Sequence, residues 1–126
     1  MELFSIPVIY KESKHDRGVR ILLPLEHLLF LRVIGKCIHF YGIHRREYTL
    51  QSTLQDWRIL LDGTGFEEVD RGVLANARKI DFIFSDLQQI HFGAEAEGVF
   101  CPIARVNIPR LQKYYPEVRI IKSGTL

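Results

Sequence analysis

The sequence predicts a mostly-β domain of small antiparallel sheets, with one short helix after Ser52 and a second near residues 108–115. Three observations lead there. Short runs of β-branched and aromatic residues recur between turn residues along the whole chain. Only two segments carry helical spacing. The links between successive apolar runs are too short for parallel crossovers, so neighbouring strands should run antiparallel.

Taken in order, residues 1–16 and 123–126 are expected to be ragged ends. Residues 19–23 are apolar with β-branched members, and Pro24 bounds them. Residues 28–33 form a second run that stops at Gly35-Lys36. Residues 36–41 alternate, with Cys37, His39 and Tyr41 on one face and Ile38 and Phe40 on the other. Gly42 and the basic cluster His44-Arg45-Arg46 suit a hairpin turn before residues 47–50. Ser52 and Gln55 stand at capping-box spacing, and Leu54, Trp57 and Leu61 follow at i, i+3 and i+7 as one apolar stripe. Gly63 can end that helix with a positive φ. Residues 66–69 and 73–75 are short β-compatible runs, and residues 80–84 are rich in aromatics. Ser85-Asp86 makes a tight connection to residues 87–92, and the small residues 93–97 form another turn before a strand over 98–103. Asn107 can cap the second helix, Pro109 suits its first turn, and Pro116 closes it. Residues 118–121 can form a last strand or a docked tail.

The 126 residues suit one domain, and a chain of that size buries roughly two-thirds of its unfolded surface without a metal or disulfide staple. Apolar runs reach only about five residues where a spanning helix needs about twenty. The N-terminus has neither the basic start nor the apolar stretch of a secretory signal. Two cysteines, Cys37 and Cys101, are too few for a secreted disulfide scaffold, so a cytoplasmic protein without membrane contact is expected. Seventeen Lys and Arg against fifteen Asp and Glu give a net charge of +2. Such a total neither demands nor forbids nucleic acid, because the clustering of the charges decides.

Catalytic and metal chemistry find no support. Ser, His and Asp never stand in a Gly-x-Ser-x-Gly context. His15, His27, His39, His44 and His91 are scattered, without His-Glu-x-x-His or Cys-x-x-Cys spacing. Gly63-x-Gly65 lacks the further glycine and lysine of a phosphate loop. Glu67, Glu68 and Asp70 read as a solvated face. Cys37 and Cys101 read as small apolar strand residues. No catalytic residue, metal ligand or cofactor is therefore expected, and the chain is not expected to be an enzyme.

The cations carry more information. They fall at turns: Arg32 and Lys36, then Arg45 and Arg46, Arg71, Arg78 with Lys79, and Arg105 where a strand meets a helix. In a small β domain such connections can gather at one edge. A guanidinium there can bind phosphate or a guanine edge with two hydrogen bonds.

The ordered segments resemble the LytTR DNA-binding family. Ile21-Leu22-Leu23-Pro24-Leu25-Glu26-His27-Leu28-Leu29-Phe30-Leu31 is similar to its opening I-x-x-I-P-L-E-D-I-L-Y-I-E. Gly35-Lys36-Cys37-Ile38-His39-Phe40 resembles the next loop and strand, and residues 49–54 resemble the approach to its short helix. Residues 66–80 parallel F-x-R-V-H-R-S-Y-L-V-N-L-x-x-I, and Cys101-Pro102-Ile103-Ala104-Arg105 resembles I/C-P-V-S-R. The match covers about residues 19–115, which defines the expected core of a single domain over residues 1–126.

The resemblance implies three small antiparallel sheets whose edge loops enter successive major grooves. It also implies a bacterial transcription regulator bound to paired direct repeats in double-stranded DNA, with a homodimer on DNA as a possible form. Carried over by position, the contact loops hold Lys36 with Cys37, Arg71, and Arg105 with Asn107. Arg71 and Asn107 suit base edges, and Lys36, Arg45, Arg46 and Arg105 suit phosphates. A receiver domain needs on the order of 120 residues and only about 18 precede the match, so a stand-alone member is expected.

Three departures support an alternative, an interaction module that has lost or weakened DNA binding. The family's His-Arg-Ser is Asp70-Arg71-Gly72 here, the Ser of Pro-x-Ser-Arg is Ala104, and the following basic position is Val106. Asn76 is expected to satisfy buried backbone groups, and Trp57 to lie in the core.

Overall fold

In the computed structural model, residues 4–13 and 15–124 are described. The strands are β1 (Ser5–Tyr10), β2 (Val19–Pro24), β3 (Leu28–Ile34), β4 (Cys37–Gly42), β5 (Glu47–Leu50), β6 (Phe66–Asp70), β7 (Val73–Asn76), β8 (Phe82–Phe84), β9 (Gln89–His91), β10 (Phe100–Pro102) and β11 (Arg119–Ile121). The helices are α1 (Leu54–Leu60) and α2 (Asn107–Tyr114). The strands form a seven-stranded sheet in the order β2-β1-β5-β4-β3-β7-β6 and a four-stranded sheet in the order β10-β9-β8-β11. The fold is mostly β, as expected, but it has two sheets where the family resemblance implied three.

Two core clusters lie on opposite faces of the large sheet. On one face Trp57 and Leu61, at α1, pack with Ile38 and Phe40 of β4 and with Ile6 and Val8 of β1. Trp57 meets Phe40 edge to face, with ring centroids 5.0 Å apart, a geometry worth about 0.5–1.5 kcal/mol beyond area burial. On the other face Phe30, Val73 and Ala75 pack with Ile83 and Ile90 of the small sheet and Leu111 of α2. Tyr41, Phe30 and Phe92 stack as one column that ties the sheets together, with centroids 4.3 and 5.6 Å apart.

The central strand β3 is buried on both faces, which explains its unbroken apolar run Leu28-Leu29-Phe30-Leu31. Its register against β4 slips between Leu28 and Phe30. The extra residue lets Leu29 and Phe30 both face the small sheet while Leu28 and Leu31 face α1.

Four expectations are corrected. Part of the expected ragged N-terminus is β1, paired with β2 from Ser5–Pro24 to Tyr10–Val19. Its inward pattern is only Ile6 and Val8, interrupted by Pro7, which has no N–H for a ladder and masks the strand. The α1 cap is Thr53, whose Oγ1 accepts the Asp56 N–H (3.2 Å). Ser52 Oγ instead accepts the Trp57 indole N–H (2.8 Å). At α2 the capping position is Val106, and Asn107 is the first helical residue. Finally, residues 119–121 form a strand parallel to β8. The short-link argument does not reach it, because the intervening chain includes α2 and is long enough to cross over.

Asn76 is the one buried polar residue among those described, 6% exposed. The β3–β7 ladder stops at Phe30 and Ala75. Just beyond it the Leu28 carbonyl accepts from Asn76 Nδ2 (3.1 Å). Asn76→Ala leaves that carbonyl without its donor and should cost about 1–2 kcal/mol in urea unfolding.

Candidate nucleic-acid interface

Two hairpin tips leave the large sheet at the same end. β3 and β4 close at Ile34–Cys37, with Gly35 and Lys36 at the tip. β6 and β7 close at Asp70–Val73, with Arg71 and Gly72 at the tip. β3 pairs with both β4 and β7, so Arg32 lies opposite His39 on one side and Val73 on the other. The Val33 N–H donates to the Gly72 carbonyl (3.0 Å), which holds the second tip against the first hairpin. The tips are two strand spacings apart, about 10 Å. Gly35 and Gly72 take the positive φ of each turn, 61° and 75°, leaving Lys36 and Arg71 in the position that tolerates a side chain.

Arg105 reaches this end by another route. The β6–β7 register slips between Glu68 and Asp70, and Val69 is the extra residue. β6 is an edge strand, so the bulge leaves the Val69 carbonyl available outside the ladder. It accepts the Ala104 N–H (2.8 Å) and Asn107 Nδ2 (2.9 Å). The β10–α2 turn, with Arg105 between those two residues, is thereby clamped beside the Arg71 tip. Arg110 reinforces it: one guanidinium nitrogen donates to the Glu68 carbonyl (2.6 Å), and the other lies 3.9 Å from Glu67. Sequence reasoning missed Arg110, although its i+3 spacing from Asn107 places both on one helix face.

Lys36, Arg71 and Arg105 are exposed. Among the described residues none of the three pairs with a carboxylate. Asp70 is half-buried, and its Oδ1 accepts the Arg71 backbone N–H (2.8 Å). Cys37 is half-buried at the start of β4, next to Lys36. Asn107 is half-buried with its amide engaged on Val69. Behind the rim, Arg32 is half-buried and its Nε has no hydrogen-bond partner among the described residues. Cys101 is fully buried, and desolvation pushes its thiol far above the usual thiol range.

Arg45 and Arg46 are not brought to this rim. β4 runs from Cys37 at the rim to Gly42 at the far end, about 17 Å over five steps. The turn at Ile43–Arg45 lies beyond it. Arg46 places its guanidinium over the Tyr10 ring, 4.9 Å from the centroid. Arg78 and Lys79 follow β7 and lie at the same remote end.

Among the described residues no helix is long and apolar enough to cross a membrane, and no group of three His, Cys, Asp or Glu is placed to hold a metal ion. No curated protein matches the chain. A solved LytTr DNA-binding domain of a putative methyl-accepting/DNA response regulator from Bacillus cereus is similar in fold. It has a TM-score of 0.61 and 16% identity, covering 87% of this chain and 97% of that one. The profile of the LytTr DNA-binding domain matches residues 18–115. Spanning most of the sequence, that match shows that the chain belongs to the LytTr DNA-binding domain family.

Proposed function

We propose that this protein is a cytoplasmic bacterial transcription regulator that binds duplex DNA sequence-selectively through the rim of Lys36, Arg71 and Arg105. One observation carries the reading: three cations from three separate connections, none paired with a carboxylate among the described residues, share one end of the large sheet. Arg71, on the tip between the other two, suits a guanine edge, and Lys36 and Arg105 suit flanking phosphates. Two protomers side by side would occupy paired direct repeats.

Of the departures that favour an interaction module, those at Asp70, Gly72 and Ala104 have local explanations, whereas exposed Val106 has none. Asp70 accepts its own turn's N–H and does not mask Arg71. Gly72 adopts a φ of 75°, where a serine would be strained. Ala104 contributes its backbone N–H to Val69, which needs no hydroxyl. These geometries support DNA binding over its loss.

Neutralising about three phosphates per protomer gives a slope near −2.7 for log affinity against log salt. Fluorescence anisotropy across a salt series measures it, and binding indifferent to salt would end the proposal. Arg71→Ala should cost about 1–3 kcal/mol and relax preference at the base it reads. Selection from a random duplex pool would expose an unchanged preference, which rejects the assignment.

Asn107 is expected to position Arg105. Asn107→Ala should weaken binding with sequence preference unchanged, and should cost little more in an Arg105→Ala background, a coupling of about 0.5–3 kcal/mol. Additive losses with an altered preference would make Asn107 a base reader.

A further inference from the structure

The large sheet ends in β2 and β6, and the small sheet in β10 and β11. An edge strand presents unpaired N–H and C=O groups, which proteins normally cover, shorten or interrupt. β6 is interrupted by the slip at Val69 and covered there by the turn before α2. β10 and β11 have three residues each, and β10 ends in Pro102, which has no N–H. β2 is different. It runs for six residues, and its protections are a single charge, Arg20, and the terminal Pro24. Val19 and Leu22 on it are 58% and 66% exposed.

The hairpin with β1 sets which backbone groups of β2 point outward. The Leu25 N–H donates to the Phe4 carbonyl (2.8 Å), one step beyond the Ser5–Pro24 pair. Bonded and non-bonded pairs alternate in an antiparallel ladder. Val19, Ile21 and Leu23 therefore spend their backbone groups on β1, and Arg20, Leu22 and Pro24 turn theirs away from it. The same alternation puts Pro7, which lacks an N–H, in a non-bonded pair with Leu22. Beyond the hairpin, neither Arg20 nor Leu22 makes a backbone hydrogen bond among the described residues.

The geometry points to an antiparallel pairing of β2 with β2 of a second copy of this chain, Arg20 opposite Leu22. Ile21 then faces its own counterpart on the two-fold axis. This register makes four hydrogen bonds and uses the N–H and C=O of both Arg20 and Leu22 in each copy. Setting Leu22 opposite Leu22 brings Arg20 against Pro24, whose missing N–H leaves the Arg20 carbonyl unpaired. Setting Arg20 opposite Arg20 places like charges together. It also leaves the Leu22 carbonyl facing Gly18, whose N–H is already given to Asp16 Oδ1 (3.2 Å). In the favoured register Val19, Ile21 and Leu23 of both copies line one side of the seam. The pair closes at two copies, because the other edge of each large sheet is covered at Val69. The contact is narrower than the roughly 800 Å² per partner of a standard interface, so dissociation is expected at about 10–100 μM. A two-fold axis relates the two rims by rotation, whereas protomers side by side on direct repeats are related by translation. The pairing is therefore separate from the DNA reading.

The test is sedimentation equilibrium of the full chain without DNA, from about 5 μM to about 1 mM. The average mass should rise from 14.7 kDa towards twice that value. Leu22→Pro should stay monomeric, since the N–H it removes points away from β1 and its own hairpin keeps every bond. Two charge variants at the same exposed position read the register. Leu22→Lys, opposite Arg20, should weaken association by about two- to tenfold, and Leu22→Glu should strengthen it by a similar factor at low salt. In a Cys37→Ser background, Ile21→Cys should cross-link two chains on mild oxidation. Opposed Cα atoms of a non-bonded pair lie about 4.5 Å apart, within disulfide reach. Val19→Cys, opposite Leu23, should not cross-link. A mass of one chain throughout, growth past the dimer, or unchanged association of Leu22→Pro overturns the proposal. So does weakening by both charges, or equal cross-linking of the two cysteine variants. Failure here leaves the salt-dependent DNA binding at the rim untouched, so the two readings fail separately.

Discussion

The rim depends on one backbone acceptor, the carbonyl of Val69. A regular β6–β7 pair would absorb its hydrogen-bonding groups into the ladder or leave them to solvent. The register slip at Val69 instead offers the carbonyl to the turn before α2, where the Ala104 N–H and the Asn107 amide both reach it. A buried carbonyl needs a donor, so the slip and the turn stabilise each other. The consequence is geometric: Arg105 is held beside Arg71 although the two residues are far apart in the chain.

A second slip uses the same device. In β3 the extra residue lies between Leu28 and Phe30, and the Leu28 carbonyl is met by the amide of Asn76. In both places a strand irregularity leaves an acceptor near its end and an asparagine supplies the donor. The β3 slip also lets one strand feed both cores, since Leu29 and Phe30 face the small sheet while Leu28 and Leu31 face α1. The rim is therefore mounted on a strand whose first four residues are packed from both sides.

The molecule has two cationic ends of different character. At the rim the cations project from tips and turns, and none is paired with a carboxylate among the described residues, an arrangement open to an extended polyanion. At the far end Arg46 leans on Tyr10, and Arg45 lines the seam between the sheets together with the Glu47 carboxylate. A net charge of +2 says nothing of this division.

Much was legible in the sequence because it is local. Alternation along residues 36–41 fixes which side chains of β4 face the core, and the spacing of Leu54, Trp57 and Leu61 fixes the buried face at α1. The glycines at 35 and 72 mark the tips, and the ordered motifs from residue 21 to residue 105 point to the family. What the tertiary structure alone decided is non-local. Which tips share an end follows from β3 pairing with both β4 and β7, and strand partners leave no periodic trace in the chain. The Val69 clamp uses a carbonyl that every residue possesses, so no residue type announces it. The same holds for the parallel docking of β11 on β8 and for the separation of Arg45 and Arg46 from the rim. Side-chain pattern determines local structure and burial, whereas the placement of backbone groups and charges across the fold emerges only once the strands have paired.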